Sequence, residues 1–96
     1  MQDNSYRNDR DEMRDLLKQF ENLRTGMSNG FLEEDSFEKI IDYFDEKDDI
    51  AKALEAVELG VGQFPYSASL MVKKADLLIA TRKYNDALEI LEKAEI

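Results

Sequence analysis

Cysteine, histidine and tryptophan are all missing from this chain of 96 residues, and proline occurs only once. Without cysteine the chain has no disulfide, no thiolate nucleophile and no thiolate metal ligand. Without histidine it lacks the commonest general base and the commonest metal-binding side chain. The remaining candidates for catalysis are carboxylates on open helix faces, which lack the burial typical of catalytic acids and bases. We therefore expect a protein that is not an enzyme, holds no metal and uses no cofactor.

Long apolar runs are absent as well. The longest uninterrupted run is the four residues 77–80, whereas a membrane-spanning helix needs about 20. Residues 1–15 are too polar for the apolar core of a signal peptide. These absences favour a cytoplasmic protein that makes no contact with membranes.

The charge of the chain is strongly negative, with 13 basic against 22 acidic residues and a net charge of −9. Most of the excess is local, because residues 33–49 hold nine acids and two bases. Negative charge repels phosphate backbones and anionic lipids. We therefore expect no nucleic-acid partner and favour a basic protein or peptide.

Apolar residues recur at helical spacing in five segments, which is typical of amphipathic helices. The first predicted helix covers about residues 9–24, and the glycines at 26 and 30 predict a turn after it. The other predicted helices cover about residues 35–47, 49–62, 68–81 and 84–96, with breaks at 47–49, at Gly62 with Pro65, and at Arg82–Lys83. No alternating run of β-branched residues predicts a strand, so the expected fold class is all-α.

The chain also repeats itself with a period of 34 residues. Identical residues that coincide after this shift are Lys39 and Lys73, Asp42 and Asp76, Ala53 and Ala87, Leu54 and Leu88, Glu55 and Glu89, and Glu58 and Glu92. Apolar residues that coincide are Phe37 and Met71, Ile41 and Ala75, Phe44 and Leu78, Ile50 and Tyr84, and Val57 and Leu91. A helix, a turn and a second helix repeated at this period indicate a stack of helical hairpins.

The size and spacing of the residues indicate which type of repeat this is. Large apolar residues lie on the first helix, a small residue on the second and proline at the end, namely Phe37, Ile40, Ile41, Phe44, Ala53, Val57 and Pro65. In this pattern residues 34–67 resemble one complete tetratricopeptide repeat. Residues 68–96 resemble a second repeat that stops before its proline, through Met71, Ala75, Leu78, Tyr84, Ala87, Leu91 and Ala94. Ala53 and Ala87 are expected to be small because the two helices of a hairpin cross closely there, and Gly60 and Ala94 because they let the next helix approach.

The resemblance implies antiparallel helix-turn-helix repeats stacked as a short right-handed α-solenoid. The expected organisation is a disordered or frayed segment at 1–8, a capping helix and loop at 9–33, a first repeat at 34–67 and an incomplete second repeat at 68–96.

The resemblance also implies a function, since the first helix of each tetratricopeptide repeat lines a concave groove that binds peptides. The groove positions carried over to this chain are Asp35, Glu38, Asp42, Asp45, Tyr66, Val72, Asp76 and Ile79. We expect this surface to bind a peptide segment in which a lysine or arginine precedes an apolar residue. Two alternatives remain open: a merely solvated acidic face, or one that the basic side of the first helix covers through Arg7, Arg10, Arg14 and Lys18.

The C-terminal edge suggests a different function. Ile90, Leu91 and Ile96 have no following repeat to cover them, and about three repeats are usually needed for stability. The chain is therefore expected to continue into further repeats or to form a homodimer. In the second case it is a structural element that self-assembles through this edge. The remaining alternative is that these are scattered surface residues.

Overall fold

The computed structural model describes residues 5–28 and 30–94, and within them it contains four α-helices and no β-strand. The helices are α1 (Ser5–Arg24), α2 (Glu34–Glu46), α3 (Ile50–Gln63) and α4 (Ala68–Ala94). The predicted all-α fold class is confirmed. Helix α1 begins at Ser5, so residues 5–8 of the segment expected to be disordered or frayed are helical.

Helices α2 and α3 form a hairpin with a three-residue turn at 47–49. Asp48 adopts a left-handed conformation at φ 59°, which short polar side chains tolerate better than most. The carboxylate of Asp49 then accepts a hydrogen bond of 3.2 Å from the backbone N–H of Lys52 and caps α3. The break predicted at this point is confirmed.

The core of the molecule lies between this hairpin and α4. Its completely buried side chains, each 0% exposed, include Phe37, Ile40, Ala53, Val57 and Leu70. Gly60 is buried among them, and a Cβ atom placed there would lie 3.1 Å from Cγ of Phe37 and 3.2 Å from Cδ1 of Leu70. A small residue at 60 therefore lets α2 and α4 approach α3, as the sequence predicted.

Helix α1 packs on the hairpin through Leu16 and Phe20, both buried. The ring centroid of Phe20 lies 5.7 Å from that of Phe44. Helix α1 is also tied to α3, since Nε of Arg24 lies 3.1 Å from Oε2 of Glu55.

The prediction of a second helical hairpin is wrong, because α4 continues through Arg82 and Lys83 to Ala94. Residues 80–85 include neither glycine nor proline, and both arginine and lysine favour helix. The hydroxyl of Thr81 donates 2.9 Å to the carbonyl of Leu77 and follows the helix without breaking it. Segment 84–94 therefore extends away from the hairpin instead of folding back on it.

Because segment 84–94 does not fold back, the burial of side chains on α4 differs from what the repeat pattern predicts. Leu70 and Leu77 are buried against the hairpin, whereas Met71 and Leu78, which the pattern aligned with core residues of the first repeat, are about half exposed at 52% and 49%. Tyr84 and Leu91 are 66% and 61% exposed. No second helix packs on these positions within the described part of the chain.

None of the helices in the described residues combines the length and the apolar character needed to cross a membrane.

Candidate functional site

Helices α2 and α4 meet along a line of polar contacts. The hydroxyl of Ser67 donates to Glu34, and that of Ser69 donates to Oε1 of Glu38 at 2.6 Å. Further along, Nζ of Lys73 donates to Oδ1 of Asp42 at 2.7 Å. Residue numbers rise together on both helices, and the last two pairs are each 31 positions apart. The two helices therefore run parallel at this junction.

Ser67 has a second role at the start of α4. Its oxygen accepts a hydrogen bond of 3.2 Å from the N–H of Leu70 while its hydroxyl hydrogen is donated to Glu34. The side chain caps α4 and joins it to α2. The start of α4 is thereby placed next to the acidic side of α2.

That acidic side, which we call the acidic stripe, consists of Asp35, Glu38, Asp42 and Asp45. Like charges four positions apart repel each other in an isolated helix. In the folded chain, Glu38 accepts a hydrogen bond from Ser69 and Asp42 pairs with Lys73. Helix α4 thus compensates part of this repulsion.

A cavity of about 220 Å³ opens at the C-terminal end of this junction. It is lined by Ile41, Asp42, Asp45, Lys73, Asp76, Leu77 and Ala80, and we call it the acidic cleft. Three carboxylates and one ammonium give it a formal charge of −2. Within the described residues, neither Asp45 nor Asp76 forms an ion pair.

The walls of the acidic cleft are apolar as well as charged. Ile41, Leu77 and Ala80 line it; because Ile41 and Leu77 are only 2% and 4% exposed, the exposed Ala80 adds to the little hydrocarbon surface that they offer. Lysine and arginine carry a methylene stem below a charged head. A cleft with an apolar wall and carboxylates around it therefore matches a basic side chain.

Val72 and Ile79 flank the acidic cleft on α4. They lie four positions before and three positions after Asp76, a spacing that places all three on one side of the helix. Both are more than half exposed. An apolar residue next to a bound basic residue would find a contact here.

The structure separates Tyr66 from these residues. Tyr66 is 98% exposed and lines another cavity, of about 340 Å³, together with Glu34, Phe64 and Pro65. This cavity lies at the N-terminal end of the α2–α4 junction, the end near Asp35. Eleven residues of helix, or about 16 Å, separate Glu34 from Asp45. The predicted groove residues thus fall into two groups, with Glu38 between them.

The basic side of α1 does not lie over the acidic stripe in the described residues. Arg14 pairs with Asp11 of its own helix, with 3.8 Å between the charged atoms. A charged contact between α1 and α2 instead joins Glu12 to Lys39, at 2.6 Å. The side chain of Arg7 lies outside the described residues. Helix α1 packs on the hairpin and leaves the acidic cleft uncovered by any of the cations described for it.

Sequence reasoning missed the part played by Lys73. The repeat alignment paired it with Lys39 and assigned it no partner. In the structure it reaches across to Asp42, because parallel neighbouring helices are offset by nearly one repeat length. A search for opposite charges about 31 positions apart would have found this pair and Arg24 with Glu55.

The described carboxylates do not converge on a metal site, since no group of three or more of them is arranged to hold a metal ion. Comparison of the chain with protein-family models, with curated proteins and with solved structures found no match. Function is therefore inferred from the acidic cleft and the repeat pattern.

Proposed function

We propose that this chain is a non-catalytic protein-interaction module of the tetratricopeptide type that binds a basic peptide segment in the acidic cleft. The observation that carries the proposal is the convergence of Asp42, Asp45 and Asp76 on one cavity that contains a single lysine. Asp42 and Asp45 lie on α2, and Asp76 lies on α4, 31 or more positions from both of them in the chain.

The packing of the helices supports the repeat assignment. Helix α4 runs antiparallel to α3, since Gly60 contacts Leu70 while Glu58 pairs with Lys74 at 3.2 Å. It runs parallel to α2 through the contacts at Ser69 and Lys73. This is the relation expected when α2 and α3 are the two helices of one repeat and α4 begins the next.

The charged and apolar residues of the acidic cleft indicate which side chain of a partner it would bind. An arginine or lysine of the partner places its charged head between Asp45 and Asp76 and its stem along Ile41 and Leu77. An apolar residue beside it packs on Val72 or Ile79. Because these carboxylates are exposed to solvent, each pair contributes at most about 1 kcal/mol, and binding weakens as salt increases.

A labelled peptide tests the proposal. The probe is a fluorescent decapeptide with two arginines followed by leucine in a glycine-serine background, titrated with the chain and followed by anisotropy. Replacing Asp45→Asn and Asp76→Asn together is expected to weaken binding about tenfold, as the loss of two partly exposed ion pairs implies.

The control for this titration is a double variant with the same net charge as the variant that lacks Asp45 and Asp76. The double variant Asp15→Asn with Glu46→Gln also removes two acids, and both are exposed and lie outside the acidic cleft. We expect it to bind within about twofold of the parent chain. Equal losses in the two double variants, or no binding by the parent chain, would contradict the proposal.

A further inference from the structure

The long helix α4 carries apolar residues at heptad spacing, and only the first half of this row is covered. Leu70, Leu77, Tyr84 and Leu91 recur every seven positions and share one side of the helix, which we call the α4 seam. Leu70 and Leu77 are 0% and 4% exposed, whereas Tyr84 and Leu91 are 66% and 61% exposed. The same side of the helix is therefore core in its first half and bare in its second.

The bare half follows from the lengths of the helices. Helix α3 has 14 residues and α4 has 27, so about 20 Å of α4 extends beyond its neighbour. Ala87 and Leu88 lie beside the bare seam and match Ala53 and Leu54 of α3 in the repeat alignment. Ala53 is completely buried in the hairpin. The bare half thus presents residues of the type that this fold buries elsewhere.

A cavity lies where α4 leaves the hairpin. It has a volume of about 620 Å³, and its lining combines apolar residues with two aspartates and a threonine: Ile50, Ala51, Ala80, Tyr84, Asp48, Asp49 and Thr81. It is therefore continuous with the bare half of the seam at Tyr84. A helix packed on this half of the seam would place its end in the cavity.

The charges of the bare half identify the helix that fits. It begins with the cations Arg82 and Lys83, and the acids Asp86, Glu89 and Glu92 follow together with Lys93, which pairs with Glu89. An antiparallel second copy sets Arg82 and Lys83 of each chain beside the C-terminal end of the other, where the acids outnumber this one lysine. A parallel copy sets like charges together.

We propose that two copies of this chain associate through the C-terminal halves of α4, antiparallel and related by a two-fold axis near Leu88. In this dimer Tyr84 of each copy packs on Leu91 of the other, and each helix end enters the cavity beside Ile50. This surface shares only Ala80 with the lining of the acidic cleft, so the two proposals are tested by different variants.

Molar mass in solution tests the interface. Sedimentation equilibrium over a range of concentrations is expected to give a dimer for the parent chain. Leu91→Lys is expected to raise the dimer dissociation constant at least about tenfold, since burying a leucine side chain is worth that much or more. Circular dichroism is expected to show unchanged helix content in this variant.

The adjacent residue supplies the matched control. Ile90 is 66% exposed, close to the 61% of Leu91, but it lies about 100° further round the helix and off the seam. Ile90→Lys is expected to leave the dimer within about twofold of the parent. A parent chain that is monomeric throughout, or equal effects of the two variants, would overturn the proposal.

The chain's lack of cysteine allows the orientation to be tested by cross-linking. When Tyr84→Cys and Leu91→Cys chains are mixed and mildly oxidised, the antiparallel dimer predicts mixed disulfides in excess over those between identical chains. An excess of disulfides between Tyr84→Cys chains would indicate a parallel pair and overturn the proposal.

One further variant detects a helix that folds back on its own chain. The Cα atoms of Ala75 and Ala87 are about 18 Å apart along a continuous helix, too far for a disulfide. The double variant Ala75→Cys with Ala87→Cys is therefore expected to form no bond within one chain. An efficient internal disulfide would show that α4 closes as a hairpin and would overturn the dimer.

Discussion

Lys73 of α4 pairs with Asp42 of α2, with 2.7 Å between Nζ and Oδ1, so one basic side chain already occupies part of the acidic cleft. The two side chains are 26% and 57% exposed, and a pair this accessible to water contributes at most about 1 kcal/mol. The proposed basic ligand is therefore expected to share the acidic cleft with Lys73 or to displace it at little cost. The pair also shows the geometry in which the acidic cleft accommodates an ammonium group.

Removing this competing cation is expected to strengthen ligand binding. Lys73→Met keeps the apolar stem but changes the formal charge of the acidic cleft from −2 to −3. We expect the arginine-containing peptide to bind about three to ten times more tightly, measured by anisotropy at low salt. Lys74→Met is the control, since Lys74 pairs with Glu58 outside the acidic cleft. An equal gain in both variants would indicate a general charge effect.

Gly60 is expected to tolerate no larger residue. In Gly60→Ala the new methyl lies 3.1 Å from Cγ of Phe37 and 3.2 Å from Cδ1 of Leu70, and both side chains are fully buried. We expect overpacking to outweigh the gain of up to about 1 kcal/mol in helix propensity and to lower the free energy of unfolding by about 1–2 kcal/mol. Urea denaturation provides the measurement.

Gly62 gives the matched comparison for this substitution. It lies on the same helix, but nothing approaches a Cβ at this position within 4 Å. Gly62→Ala is expected to raise the free energy of unfolding by about 0.5 kcal/mol, because alanine favours helix and restricts the unfolded chain. Loss of stability in both variants would argue against the close packing at Gly60.

The register of α4 can be tested at two adjacent leucines. Leu77 is 4% exposed and Leu78 is 49% exposed. Leu77→Ala is expected to cost about 2–4 kcal/mol of unfolding free energy, and Leu78→Ala less than about 1 kcal/mol, because only the first creates a buried cavity. Urea denaturation of both variants decides between this register and the repeat pattern, which places Leu78 in the core.

The turn between α2 and α3 depends on its capping residue. Asp49→Ala removes the acceptor for the N–H of Lys52 and is expected to lower the free energy of unfolding by about 1 kcal/mol. Asp49→Asn keeps an acceptor and is expected to cost less than about 0.5 kcal/mol. Thermal unfolding followed by circular dichroism compares the two variants. If they lose equal stability, the carboxylate acts through its charge and not as a cap.

The first hairpin was predictable from the sequence in detail. The break at 47–49, the buried Phe37 and Ile41 and the close approach at Gly60 all follow from local patterns: capping residues, helical periodicity and residue size. The second hairpin was not, because Arg82 and Lys83 were interpreted as a break although both favour helix. A repeat alignment predicts which positions of the second copy are core positions, but it does not show that a second helix packs on them.

Of the eight predicted groove residues, the structure brings Asp42, Asp45 and Asp76 into one cavity and places Val72 and Ile79 beside it. It puts Tyr66 in a different cavity and engages Glu38 with Ser69. Of the predicted oligomer edge, Ile90 and Leu91 are exposed, and Ile96 lies outside the described residues. These differences arise because a side chain's neighbours on other helices are not encoded in its own periodicity.

The sequence alone determined the helical class of the chain, the first hairpin and the concentration of acid at 33–49, since each depends on neighbours within a few turns of one helix. The tertiary structure decided which carboxylates lie close together and which cation pairs with them, because Asp42 and Lys73 lie 31 positions apart in the chain. It also decided that α4 runs on as one helix, with half of its apolar seam bare. Residues 80–94 contain no glycine or proline that would stop the helix.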